Sequence, residues 1–168
     1  MPIDFNFTEE QELFRRTLKD YFAKNLTPKS KEILKARMIT PDVHRALTDQ
    51  GLPGLLLPKE FGGSESDYVT FTIAVEELTK ADPTGMACIP IWYGASCARV
   101  IAVYGTAELK EEILPKVVKD GWITPLHNTE PGCGTDFTAI TTTAKKTDGE
   151  YVINGEKQIL SCVPEAIK

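Results

Sequence analysis

Metal-binding side chains are scarce in this sequence. It holds two histidines in 168 residues, and its four cysteines, Cys88, Cys97, Cys133 and Cys162, form no C-x-x-C pair. A zinc centre needs several such ligands at short spacing, so no metal site is expected. A chain of this length buries a core without disulfide staples, and the thiols are expected to stay reduced in the cytoplasm. Basic runs are missing as well. Nineteen Lys and Arg stand against 24 Asp and Glu, a formal charge of −5, which argues against nucleic acid or anionic lipid as a partner. The opening MPIDFNFTEEQE lacks the basic and apolar regions of a signal peptide. The longest uncharged run, between Asp82 and Arg99, is interrupted by Pro90, so a buried helix is expected there and no membrane span. Repeats and low-complexity tracts are absent too.

Helix signals fill the first two-thirds of the chain. Thr8 and Gln11 form a capping box, and Phe14, Leu18 and Phe22 recur every four residues, predicting an amphipathic helix to about Leu26. A short charged helix is expected near Lys29–Ala36. Another starts at Thr40-Pro41, carries Val43, Ala46 and Leu47 on its apolar face, and closes at Gly51. LPGLLLPKEFGGSESD reads as an ordered loop plugged by Leu55–Leu57. Helices near Asp67–Lys80, Thr84–Tyr104 and Thr106–Lys119 follow, the middle one apolar nearly all round.

The pattern changes at Trp122. WITPLHN, FTAITTTAKKT, YVIN and KQILSCV are β-branched or alternating, with hairpin signals at Asp148-Gly149 and Asn154-Gly155. The expected class is α+β, with an all-α helical domain over 1–120 followed by an incomplete antiparallel β-domain over 121–168. Three or four strands alone make a marginal sheet with an open edge, so further strands from this or another polypeptide are expected to complete it.

HNTEPGCGTDF, residues 127–137, is the candidate site. Gly132 and Gly134 allow backbone N–H groups to approach a phosphate or a planar ring, and Thr129 and Thr135 add hydroxyls. The plain alternative is a connection between strands. No strand–turn–helix unit surrounds the loop, so it is not a Rossmann fingerprint. Gly94-Ala95-Ser96-Cys97-Ala98, with His127 and Asp136 as imagined triad partners, is a poor hydrolase candidate because Ser96 falls inside a helix. His127 is expected to satisfy its own hydrogen bonds in a strand, and His44 to lie on the surface. Trp92 and Tyr93 are expected in the core, or beside an acyl chain, and Glu76-Glu77 on a solvated face.

Six collinear stretches carry a resemblance that spans the chain. DFNFTEEQELFR, GLLLPKEFGG, VEELTKAD, YGTAELKEEILPKVVKDGWI, NTEPGCGTD and TTTAKKTDGEYVINGEK resemble the acyl-CoA dehydrogenase family. The resemblance implies an N-terminal helical domain and the first half of a middle β-domain, followed in the family by more strands and a C-terminal helical domain. It implies FAD as cofactor and α,β-dehydrogenation of an acyl-CoA thioester, with an electron-transfer protein as acceptor and assembly into homo- or hetero-oligomers. By the same resemblance Thr129 meets the flavin pyrimidine edge, with Leu126, Asn128 and Gly134 beside it. Thr135 meets both flavin and the pantetheine of the substrate, Ser161 offers a hydroxyl to the flavin, and Ile159 stands at the family's position beside the ring. No catalytic residue is expected in this chain, because the family's glutamate base falls beyond Lys168. Three departures stand out: Ile159 where the family has tryptophan, Asn128 where it has an apolar residue, and Cys162-Val163 where it has Asn-Gly. They leave a second expectation open, a truncated non-catalytic homologue that serves as an assembly subunit.

Overall fold

The computed structural model describes residues 6–160. They form two compact units that part between Thr124 and Pro125.

The first unit is helical. α1 (Glu9–Asn25) starts at the expected capping box, in which Thr8 Oγ1 accepts the Gln11 amide and Gln11 Oε1 accepts the Thr8 amide, both at 3.1 Å. Its Leu18 and Phe22 are buried together with Ile33 of α2 (Ser30–Ala36) and with Val43 and Leu47 of α3 (Pro41–Asp49). Thr40 caps α3 differently from expectation, since its hydroxyl bonds the Asp42 carboxylate and not a backbone amide. α4 (Tyr68–Ala81) is capped by Asp67, whose Oδ1 accepts the Thr70 amide at 2.7 Å. The loop before it buries Leu55, Leu56 and Leu57 as expected. A Cβ on Gly63 would lie 2.1 Å from the Leu57 carbonyl oxygen, so only glycine lets this loop fold back on itself.

Glu77 departs from its expected solvated face and is 4% exposed. Its Oε1 receives the Lys80 ammonium at 2.8 Å and lies 3.7 Å from Arg15 Nε of α1, while Glu76 binds Arg15 Nη2 at 2.8 Å. The pair of glutamates thus joins α1 to α4.

Residues 86–104 are helical throughout but change pitch. A turn at Met86–Cys88 leads to α5 (Ile89–Tyr93), a wide π-turn at Gly94–Ala98, and α6 (Arg99–Tyr104). Pro90 does not break the run, because it sits in the first turn of α5, where N–H groups have no helical acceptor. By length and composition alone, Met86–Tyr104 is long and apolar enough to cross a bilayer, a test that a core helix passes as well. One side of it packs within the unit nonetheless. Ala87, Ile91, Cys97 and Ala98 are buried, and a Cβ on Gly94 would come within 2.0 Å of the Pro53 carbonyl oxygen. Trp92, expected in the core, is 60% exposed, and Val100, Val103 and Tyr104 are exposed with it.

α7 (Ala107–Asp120) packs Ile113, Leu114 and Val117 against Leu57 and Ala98. Gly121 ends it in the left-handed region at φ 67°, and His44 Nε2 donates to the Gly121 carbonyl at 2.8 Å. His44 is therefore half-buried and fastens α3 to the end of α7, where a surface position was expected.

The second unit is built around one hairpin. β1 (Thr143–Thr147) and β2 (Glu150–Asn154) pair antiparallel, with Thr143 opposite Asn154 and Thr147 opposite Glu150. Asp148 and Gly149 both take positive φ, 51° and 90°, the turn that matches strand twist. WITPLHN and the described part of KQILSCV form no strand, since no partner strand pairs with them among the described residues. Asn154-Gly155 makes no second hairpin either. Gly155 passes so close to Thr142 that a Cβ would lie 2.1 Å from its Oγ1, and the chain then runs back to Thr129. A helical unit followed by antiparallel strands is the expected α+β arrangement.

Candidate functional site

The loop at 127–137 is held from beneath by its neighbours in the second unit. Glu130, Pro131, Gly132 and Cys133 form a tight turn in which the Glu130 amide donates to Cys133 O at 2.9 Å and the Cys133 amide returns to Glu130 O at 3.1 Å. Asp136 caps the following turn, Phe137–Ala139, by accepting from the Thr138 amide at 3.0 Å. The Thr138 donors hold the Asp136 carboxyl below its ordinary range. The Cys133 thiol, buried, donates to Asp136 O at 2.9 Å.

Glu130 is the centre of the anchorage. Its Oε2 accepts the Thr141 amide and hydroxyl, each at 2.7 Å, and its Oε1 accepts the Thr142 amide at 3.1 Å and the Lys157 ammonium at 2.8 Å. Lys157 first, and then the threonine donors, keep this carboxyl ionised far below the usual carboxylate range. A general base must have a free lone pair at working pH, and Glu130 has none to spare. Backbone carbonyls are claimed from the same side. Lys157 Nζ donates to Asn128 O at 3.0 Å, the Gln158 amide to Thr129 O at 2.9 Å, and Gln158 Nε2 to Glu130 O at 3.1 Å. Sequence reasoning passed over Lys157, Gln158 and Thr141. A Glu130–Lys157 pair 27 residues apart has no periodic signature that could have revealed it.

The expected cofactor-side residues divide by exposure. Leu126, Gly134, Thr135 and Ile159 are exposed, and Asn128 and Thr129 are half-buried. Ser161 lies outside the described residues. The hydroxyls of Thr129 and Thr135 and the amides of Gly134 and Thr135 have no partner within the chain among the described residues. Neither Gly132 nor Gly134 adopts positive φ, and a Cβ built on either meets nothing within 4 Å. Nothing among the described residues therefore demands glycine at these two positions, in contrast to Gly63, Gly94 and Gly155. Unclaimed donors, hydroxyls and open space above a fixed backbone fit a planar, acceptor-rich cofactor. Ile159 is the poorer fit. It is 82% exposed at φ 56°, a left-handed position that a β-branched residue rarely takes.

Other candidates carry no chemistry. Ser96 Oγ donates to Trp92 O at 2.8 Å within the helix, and the Asp136 carboxylate is occupied by Thr138, so neither is set as in a hydrolase triad. His127 Nε2 is buried and finds no hydrogen-bond partner among the described residues, contrary to expectation. A groove of about 780 Å³ in the helical unit, lined by Gln11, Phe14, Leu55, Ser66 and Thr70 among others, includes none of the expected site residues.

The family described as "Acyl-CoA dehydrogenase, N-terminal domain" matches residues 8–120. The chain is 34% identical over 95% of its length to acryloyl-CoA reductase (NADH) of Anaerotignum propionicum, and 34% identical over 92% to the short-chain specific acyl-CoA dehydrogenase of Clostridium acetobutylicum. It covers 40% and 41% of those two proteins, so it spans about two-fifths of the relatives it matches. The solved structure of butyryl-CoA dehydrogenase from Megasphaera elsdenii superposes with a TM-score of 0.78 at 30% identity, over 98% of this chain and 44% of that one. The family match covers well over half of the residues, and the chain belongs to the acyl-CoA dehydrogenase family.

Proposed function

We propose that this chain is the N-terminal portion of a flavin-dependent acyl-CoA dehydrogenase, and that residues 126–135 are its share of the FAD site. FAD supplies the hydride acceptor for α,β-dehydrogenation of an acyl-CoA thioester. What supports the reading, beyond family membership, is the loop itself: unclaimed amides and hydroxyls at Thr129, Gly134 and Thr135 beside two glycines with open space around them. By this reading Thr129 would donate its hydroxyl to the flavin with Leu126 and Asn128 beside it, and Thr135 would serve both flavin and the pantetheine of the substrate. Ile159 and Ser161 would be further cofactor-side residues. The proton-abstracting glutamate comes from the part of the protein beyond this segment. The name of the Anaerotignum propionicum relative is that of a reductase. Electrons leave to an electron-transfer protein, and the holoenzyme is an oligomer. A cytoplasmic location accords with the free thiols of Cys88, Cys97 and Cys133.

Ile159 favours a second reading, an assembly subunit that has lost the cofactor, because its exposed left-handed position offers no aromatic wall to a flavin ring. One experiment separates the two. The full-length polypeptide is purified and its visible spectrum recorded before and after anaerobic addition of a short-chain acyl-CoA. Bound flavin that bleaches supports the enzyme. A colourless protein that co-purifies with a longer family member supports the assembly subunit.

A further inference from the structure

We propose that Glu130 is a positioning residue for the cofactor loop, acting through Lys157 and without touching the cofactor. The proposal rests on the reading of residues 126–135 as the flavin side of the site. Glu130 is 2% exposed and points away from solvent into a ring of donors, so it is not available to a ligand. Both of its oxygens are used: Thr141 holds one, and Thr142 and Lys157 hold the other. Lys157 then reaches past it to the Asn128 carbonyl, and the adjacent Gln158 takes the carbonyls of Thr129 and Glu130. Three consecutive carbonyls, 128 to 130, are thereby fixed by two consecutive residues. A backbone whose carbonyls are all engaged by one neighbour presents its remaining groups in one orientation, and here those are the Thr129 hydroxyl and the groups that follow it. The charge on Glu130 orients the Lys157 ammonium, and the ammonium locks Asn128. Charge-assisted bonds in a place shielded from water are stronger and more directional than neutral ones. An anion is required at position 130 for this purpose, because a neutral amide keeps the shape but loses its hold on Lys157.

The test uses Glu130→Gln, Lys157→Met and the conservative Lys157→Arg in the full-length polypeptide. Two quantities are read: FAD affinity, and amide hydrogen exchange of residues 128–135 without flavin. Glu130→Gln and Lys157→Met are each expected to speed exchange in that segment and to weaken FAD by about tenfold, the equivalent of one charge-assisted hydrogen bond. The double variant is expected to be no worse than either single one, and Lys157→Arg to restore most of the affinity. Unchanged exchange and affinity in Glu130→Gln overturn the proposal. A loss of affinity with unchanged exchange also overturns it, since Glu130 would then act on the cofactor directly. If the wild-type protein binds no FAD, the functional reading falls, and faster exchange in both variants still upholds the pin. Should Glu130→Gln fail to fold, Lys157→Met carries the same comparison.

Discussion

A glycine is informative when its absence of a side chain is not explained by its own chain. Gly94 is explained, because a Cβ would strike the Pro53 carbonyl oxygen at 2.0 Å. Gly134 is not, since it has open space around it and no positive φ. Gly134→Ala is therefore expected to leave the melting temperature unchanged within the equivalent of about 0.5 kcal/mol, while Gly94→Ala loses about 1–3 kcal/mol through overpacking. Thermal melts of the two variants check this directly. Glu130 gives a second prediction at the same scale. Its folded-state acidity is shifted strongly downward by Lys157 and the threonines. A carboxylate shifted downward contributes its stabilisation fully above its unfolded pKa and loses it only as pH falls through the lower folded value. The Thr141 amide, bonded to Glu130, is accordingly expected to show no titration in NMR spectra between pH 7 and the ordinary carboxylate range. An inflection within that range contradicts the assigned network. Lys157 is the ion-pair partner of Glu130 among the described residues.

At the scale of elements, helix starts were legible and helix environments were not. The Thr8–Gln11 box, Pro41 in the first turn of α3 and the Asp148-Gly149 turn are local devices, decided by residues within four positions of one another. Glu77, Trp92 and His44 are decided by what packs beside them. Glu76 and Glu77 are adjacent and both meet Arg15 of α1, yet the Glu76 side chain is 44% exposed and that of Glu77 4%. Glu77→Ala is expected to destabilise by about 1.5–3 kcal/mol, the range for hydrogen bonds to charged groups, and Glu76→Ala by much less. Urea denaturation of both variants tests the difference. The strand expectation failed for a related reason. WITPLHN has strand composition, but a strand exists only with a partner, and β-propensity says nothing about whether one is at hand. Of the site, the loop and its hydroxyl residues could be read from the sequence. The anchorage by Thr141, Lys157 and Gln158 could not, because it comes from chain segments remote in sequence.

For the whole molecule the two units are unequal. The helical unit buries Leu18, Phe22, Ile33, Leu47 and Leu78 in one cluster and Leu57, Leu114 and Val117 in another. The hairpin is exposed at every residue of both strands, including Tyr151 at 66% and Ile153 at 71%. A lone two-stranded hairpin is marginal in water. Hydrogen exchange on residues 1–168 is expected to show slow amides in α1, α4 and α7 and fast ones in β1 and β2. Equal protection of the two contradicts this picture. The helical unit thus holds the larger core, and the second unit takes its order from the Glu130 network.

The central claim, that residues 126–135 form a flavin cradle, is tested most directly by titrating FAD into wild-type full-length protein and Gly134→Ala side by side, with melts as the control for folding. The account predicts saturable binding to the wild type, with affinity weakened by about tenfold in the variant at an unchanged melting temperature. Equal affinities for the two proteins, or no binding to either, would contradict it.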